Sequence, residues 1–430
     1  MKYKIIIFTV VGILMLLAVS AFIFGKKPGA NEKASLEFWG TDPSSYWTAI
    51  ISAYQTANPN ITIKYVQKNP SSYEKDFINS LASGTGPDII SINNTWLNKH
   101  LNKLSPMPGG LMSLQGFKNT FADVASIDLV KSNRIYGIPF YIDTIGLYYN
   151  KSLFNNAGII NPPKTWDEFS EDIKQLTQKD GSGDFIRSGA ALGTVSNVNY
   201  ASDILSLLML QTGTPMLSSD GKKASFDTTV SLQGKAFNPG ESALNFYTSF
   251  ALSSKPVYTW NARMPQAIEA FKTGASAMYL GYAKDLKQIT SAVNNLGVAP
   301  APQIKDSLKD SSYLDINFAS YQAGAVTGIS TKKDTAWNFL FFVSTKNAQG
   351  SYISASHLPP ARKDLISYTV SDALLNIFAK QTLTATSWAQ PDDAEVKKIF
   401  ERMINSVSLS QTSAKEAIKE AVAETNNLLR

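Results

Sequence analysis

The sequence predicts an α/β protein built as two lobes, and three observations carry that expectation. Residues Leu36 to Ile92 run strand, helix, strand, helix, strand with short connections, the signature of a parallel βαβ sheet. The same grammar returns after Thr165. Between the two halves lie strand-like stretches, Tyr136 to Lys151 and Tyr321 to Ile329, which suits lobes joined by several strands. With 430 residues the chain is also too long for one compact core.

The elements follow in order. Leu36, Phe38 and Trp39 form a first short strand, and Asp42 with Pro43 reads as N-cap and first residue of a helix bearing Tyr46, Trp47, Ile50, Ile51 and Tyr54 at helical spacing. Asn58-Pro59 stops it. Ile61, Ile63 and Tyr65 alternate as a second strand. Ser71 and Glu74 then predict a capping box for a helix with Tyr73, Phe77, Ile78 and Leu81. After Gly84-Thr85-Gly86-Pro87 comes a third strand, Asp88 to Ile92. In the second half, Thr165 and Glu168 box a helix carrying Trp166, Phe169, Ile173 and Leu176. Further helices are expected from Tyr200 to Leu210 and Pro265 to Phe271, and strands from Ala275 to Leu280 and Gly297 to Ala299. The strand Tyr321 to Ile329 leads into a helix with Trp337, Leu340 and Phe341. Two helices close the chain, Asp392 to Val407 and one capped by Ser413 and Glu416.

The N-terminus reads as an export leader. Lys2 and Lys4 precede an apolar run from Ile5 to Phe24, and about 20 such residues suffice to span a bilayer. Ala18 and Ser20 offer a small-x-small cleavage site, yet the apolar run continues past it. The expectation is therefore a signal peptide or transmembrane anchor over 1–25, kept uncleaved, with a polar linker over 26–33. The body then lies on the extracytoplasmic face of the membrane, or is secreted if the leader is cut. The formal charge is +6, most of it from leader lysines, so a near-neutral body argues against a nucleic-acid surface. The absence of cysteine excludes disulfides, thiol catalysis and lipidation through an N-terminal Cys.

Asp143 stands inside the aromatic and β-branched run YGIPFYIDTIGLYYNK, Tyr136 to Lys151. A buried carboxylate costs several kcal/mol unless paired, so this acid needs a structural partner or a ligand.

Several stretches resemble the extracytoplasmic solute-binding proteins of ABC importers, family 1, the maltose- and oligosaccharide-binding-like group. They are LEFWGTD (Leu36 to Asp42), GTGPDIISIN (Gly84 to Asn93), YGIPFYIDTIGLYYNKSLFNNAGI (Tyr136 to Ile159), NPPKTWDEF (Asn161 to Phe169), AFKTGASAMYLG (Ala270 to Gly281) and LPPARKDL (Leu358 to Leu365), in the family's order. The resemblance implies a periplasmic-binding-protein-like, or Venus flytrap, fold with a three-segment hinge and a ligand cleft. Residues 34–143 and 325–356 would form lobe 1, and 144–324 and 357–430 lobe 2. It further implies a monomer without cofactors or catalysis that closes on its solute and delivers it to ABC permease subunits.

A neutral sugar needs planar polar side chains for its hydroxyls and aromatic platforms for its ring faces. The loop after the first strand supplies Thr41 and Asp42, the latter equally readable as a helix cap. The loop after the third supplies Asn93, Asn94, Thr95 and Trp96, at the strand's carboxyl end where open α/β sheets bind ligands. Tyr141 is one pleat from Asp143 on the same face. By its distance from Tyr149-Asn150-Lys151, Asp143 matches a family position that commonly carries a sugar-facing acid; fixing hinge backbone amides is an equal reading. Tyr200, Trp260, Tyr282, Tyr321 and Trp388 are the stacking candidates, and Arg362 sits in the family's Pro-x-Arg stretch. Trp47, Trp166 and Trp337 belong to apolar stripes and read as core.

Asp180-Gly181-Ser182-Gly183-Asp184 resembles the start of a calcium loop, but Ala191 at its twelfth position lacks the carboxylate. Ser83 to Gly86 lacks the Lys-Ser/Thr of a phosphate loop, and His100 and His357 show no metal spacing. A glycosidase would need two carboxylates across a cleft, and no pair stands out. A peptide, polyamine or phosphoester ligand on the same fold remains the other reading.

Overall fold

The computed structural model describes residues 33–232, 234–305 and 315–430. The expected leader over 1–25 and all but the last residue of the linker lie outside them. Among the described residues no helix is long and apolar enough to cross a membrane.

A first sheet orders its strands as Ile61–Gln67, Ala34–Gly40, Ile89–Asn93, Gln322–Thr327 and Leu104–Ser105, with Ile138–Pro139 also paired to Gln322–Thr327. The first three strands are parallel, as βαβ crossovers require, while Gln322–Thr327 runs antiparallel to Ile89–Asn93. The helices Ser45–Ala57, Tyr73–Ala82 and Lys333–Val343 cover it and bury Trp47, Phe77 and Trp337. The second sheet orders Gln178–Lys179, Phe185–Ala190, Ser276–Gly281, Gly146–Asn150 and Leu296–Pro300. Around it pack Trp166–Leu176, Ala201–Gln211 and Asp393–Ser408, the last two joined in one core with Pro239–Ser249 and Ala414–Leu428.

Each sheet has its own hydrophobic core. A small third sheet lies between them, with Asp143–Thr144 antiparallel to Asn317–Ser320, which pairs in turn with Ala385–Thr386. The third crossing is tied in by backbone bonds, Ile142 N–H to Pro359 at 3.2 Å and a bridge between Tyr141 and Pro360.

The structure corrects several local expectations. Tyr136 to Lys151 is not one strand but three, Ile138–Pro139, Asp143–Thr144 and Gly146–Asn150, in three different sheets. Asp42 does not cap the first helix: that helix begins at Ser45 behind Ser44, and the Asp42 carboxylate accepts from the Tyr352 hydroxyl at 2.8 Å. The Ser71–Glu74 box is also absent, because Glu74 turns to His100 and Lys99. The Thr165 cap forms, with Glu168 N–H on Thr165 Oγ1 at 3.1 Å, and so does the Ser413 cap. Tyr321 and Ala323 pack in the first core, as do Leu358 and Ala361. The Asp180 segment is a surface turn, its carboxylate accepting from the Ser182 and Asp184 amides.

Candidate functional site

The carboxyl ends of the strands Ala34–Gly40 and Ile89–Asn93 point toward the second lobe, and a cleft opens there. Its volume is about 260 Å³. Asn93, Asn94 and Thr95 line it from the first lobe, Ala319 and Ser320 from the crossing strand, and Asn199, Tyr200, Ser202, Ser206, Lys284 and Gln390 from the second. Neutral polar residues are the largest group in this lining, beside apolar ones such as Val198, Phe318 and Phe400, and the charged groups are of both signs: Asp203, Asp393 and Glu401 against Lys284 and Lys397.

Side chains from both lobes meet at one carboxylate. Asp393, the first residue of the helix Asp393–Ser408, accepts at Oδ2 from Thr95 Oγ1 and Trp96 Nε1, both at 3.1 Å, and from Asn93 Nδ2 at 3.5 Å. Beside it, Lys99 Nζ lies 2.7 Å from Asp392 and 2.6 Å from Glu74. Burial pushes the Asp392 carboxyl up, but the Lys99 ammonium and the Glu395 amide outweigh it and hold the group below its ordinary value.

Asp143 is buried, and its partners are backbone amides: Ala283 N–H at 2.8 Å, Thr144 N–H at 2.9 Å and Lys284 N–H at 3.0 Å. Burial raises its pKa to about 7, against the opposing pull of these amides and the Lys284 charge. Of the two sequence readings, the geometry displays the amide-fixing one. Lys284 follows directly and places its ammonium 5.0 Å from the Tyr200 ring centre and 4.8 Å from that of Tyr282, over both ring faces.

The remaining candidates divide. Asn93, Asn94 and Tyr200 line the cleft. Asn94 is nonetheless engaged, donating to Asp128 at 3.0 Å and accepting from Tyr321 N–H. Tyr200 donates to Asp285 at 3.2 Å and stands edge-on to Tyr282, 4.8 Å between centres. Trp96 is buried, stacked 5.8 Å from Tyr73, and presents only its N–H toward Asp393. Thr41 lies beside the cleft, accepting from Gln322, whose strand partner is Asn93. Asp42 and Tyr141 sit farther along the first lobe, both at Tyr352: Asp42 takes its hydroxyl bond and Tyr141 stacks on its ring at 6.2 Å. Burial lifts the Asp42 carboxyl to about 6.

Five further aromatic or basic candidates lie off the cleft lining. Trp260 is fully buried in the second core, its indole N–H on Asn197 Oδ1 at 3.0 Å. Its polar neighbours Thr259 and Asn261 suggest a loop on the surface, but the loop folds inward and Thr259 is itself buried. Tyr282 is buried and donates to Asp203 at 2.8 Å. Tyr321 is buried in the first core, donating to Asp128 at 2.8 Å. Trp388 packs on Phe400, 6.0 Å apart at 20°. Arg362 turns away, donating to the Ser344 carbonyl at 2.6 Å and pairing with Asp364 at 2.9 Å.

Sequence reasoning missed Asp128, Asp203, Lys284 and Asp393. Asp203 and Asp393 stand in first helical turns, where an acid is unremarkable as a partner of the helix dipole. Asp128, in the helix Asp123–Leu129, gathers Asn94, Tyr321 and Ser387, and burial raises it to about 6 despite these donors.

Known proteins share this architecture. A binding protein of Brucella abortus is 25% identical over 395 residues, covering 90% of each chain. The diacetylchitobiose binding protein DasA of Streptomyces coelicolor is 24% identical over 353 residues, 79% of this chain and 77% of its own. The solved structure of the sugar-binding protein MalE from Xanthomonas citri matches with a TM-score of 0.76 at 19% identity, over 92% of this chain and 97% of that one. The family description "bacterial extracellular solute-binding protein" matches residues 39–350, from the end of the first strand into the helix Lys346–Ser356. With that match covering well over half of the chain and strands of both main sheets, the chain belongs to the bacterial extracellular solute-binding protein family.

Proposed function

We propose that the protein is a non-catalytic receptor that captures a carbohydrate between its lobes and delivers it to the permease of an ABC importer. The observation that carries this reading is the cleft itself: amides and hydroxyls from Asn93, Thr95, Asn199, Ser202, Ser206 and Gln390 surround it, with Tyr200 as an aromatic wall. Such groups exchange hydrogen bonds with hydroxyls in both directions, which is what a polyol needs and a hydrophobic solute does not. Relatives named for diacetylchitobiose and for sugar binding support it. In this reading Asn93, Thr95 and Tyr200 contact the solute, Thr41 and Asn94 hold the rim, and Asp143 belongs to the hinge.

The leader over 1–25 serves as an uncleaved anchor holding the body on the extracytoplasmic face. The first lobe is the body built on Ala34–Gly40, and the chain crosses between lobes near Asp143, Ser320 and Arg362. Isothermal titration against a panel of mono- to tetrasaccharides tests the function. Saturable binding of at least one saccharide is expected; dominant affinity for an anion, drawn by Lys284 and Lys397, overturns the sugar reading.

A further inference from the structure

We propose that Asp393 is a positioning residue, a latch that draws the two lobes together and does so before any solute arrives. Its Oδ2 atom collects Thr95 Oγ1 and Trp96 Nε1 at 3.1 Å and Asn93 Nδ2 at 3.5 Å, all from the turn that ends the strand Ile89–Asn93. These donors are neutral and the acceptor is ionic, so the bonds are charge-assisted without the cost of desolvating a second ion. The acid next to it repeats the reach: Asp392 meets Lys99 at 2.7 Å, and Lys99 is braced by Glu74 on its own lobe.

The contact is built from elements with separate duties. The helix behind Asp393 does not need its side chain for capping, because Asp392 supplies the cap by accepting from Glu395 N–H at 3.2 Å. The Asp393 Oδ1 atom is held by the Ala394 amide at 2.9 Å, which aims Oδ2 at the opposite lobe. On the first lobe, Trp96 is fixed by stacking on Tyr73, so its N–H is presented on a rigid ring. A volume of about 260 Å³ stays open beside Asp393 with all three bonds made. Latch and solute therefore coexist, and the latch holds the closed form rather than competing for the solute's place.

The test needs no solute, so it stands or falls apart from the sugar reading. The full chain in detergent micelles, which has no native cysteine, receives spin labels at the exposed positions Ala53→Cys and Asp167→Cys, one on each lobe. Pulsed electron-electron spectroscopy then reads the distance between lobes. The parent protein is expected to give one narrow population and Asp393→Ala to add a second with altered spacing. Thr95→Val, which keeps its shape and loses only a donor, is expected to shift the population in part. Thr95→Val should add nothing once Asp393 is alanine. Thermal unfolding should move little in Thr95→Val, which separates latch from scaffold. An unchanged distribution in Asp393→Ala overturns the proposal, and so does a parent protein already as broad as the variant. Should Asp393→Ala fail to fold, an unshifted Thr95→Val overturns it alone.

Discussion

The Asp143 carboxylate accepts the Ala283 amide proton at 2.8 Å across 140 positions of sequence, fastening the first crossing strand to the turn that follows Ser276–Gly281. The neighbouring Lys284 amide takes the other oxygen at 3.0 Å. This acid is thus held by backbone amides, and two of its neighbours line the cleft, Lys284, whose amide it accepts, and Ser320, its partner across the strands.

Asp143→Ala is expected to cost about 2–4 kcal/mol of stability, since it strands buried backbone donors. Chemical denaturation measures it. Saccharide affinity in the fraction that remains folded should fall less than fivefold. A variant of unchanged stability and lost affinity would return Asp143 to the solute.

Trp260 and Tyr200, both stacking candidates by sequence, should separate cleanly. Trp260→Ala removes a fully buried ring and should cost about 3–5 kcal/mol by denaturant titration. Tyr200→Ala opens the cleft wall and should weaken saccharide binding about tenfold, about 1.4 kcal/mol by calorimetry, at a smaller stability cost.

Arg362→Ala should leave affinity untouched. It loses a charged bond to the Ser344 carbonyl and a half-exposed pair with Asp364, about 1–2 kcal/mol of stability together. A loss of binding without a loss of stability would contradict the orientation seen.

Burial lifts Asp143 to about 7 and Asp128 to about 6, both above the usual 3.8. The folded protein binds these protons more tightly than the unfolded chain. Their contribution to stability is therefore full below the ordinary carboxylate value and is lost as the pH rises through about 6 to 7. Relative to Asp128→Asn, which cannot titrate, the parent protein should gain stability as the pH is lowered from about 8 to about 5. Urea midpoints at the two values decide it, and a constant difference refutes the shift.

Much of the architecture is written in short-range pattern. Trp47, Trp166 and Trp337 announce buried helix faces by spacing alone, and each is buried in the core. The polar turn at Asn93 to Trp96 is legible too, because a strand that stops in amides and hydroxyls has few other uses. What local pattern hides is which surface a residue faces once the chain has folded back. Trp260 and Tyr321 have loop and strand-end contexts that suit a cleft, yet the Trp260 indole N–H finds Asn197 and the Tyr321 hydroxyl finds Asp128. Asp393 is hidden for the opposite reason. Its sequence context explains it fully as a helix start, and only the tertiary fold brings Thr95 and Trp96 to it across some 300 residues.

The run from Tyr136 to Lys151 passes through the first sheet, the crossing sheet and the second sheet in turn. The two cores are consequently coupled through a short run of backbone, and the strands Asn317–Ser320 and Gln322–Thr327 make a second such passage from the crossing sheet into the first. Melting one lobe should deprive the other of its edge contacts, so calorimetry is expected to show a single cooperative transition, with calorimetric and van't Hoff enthalpies in agreement, where two bodies on a slack tether would give two.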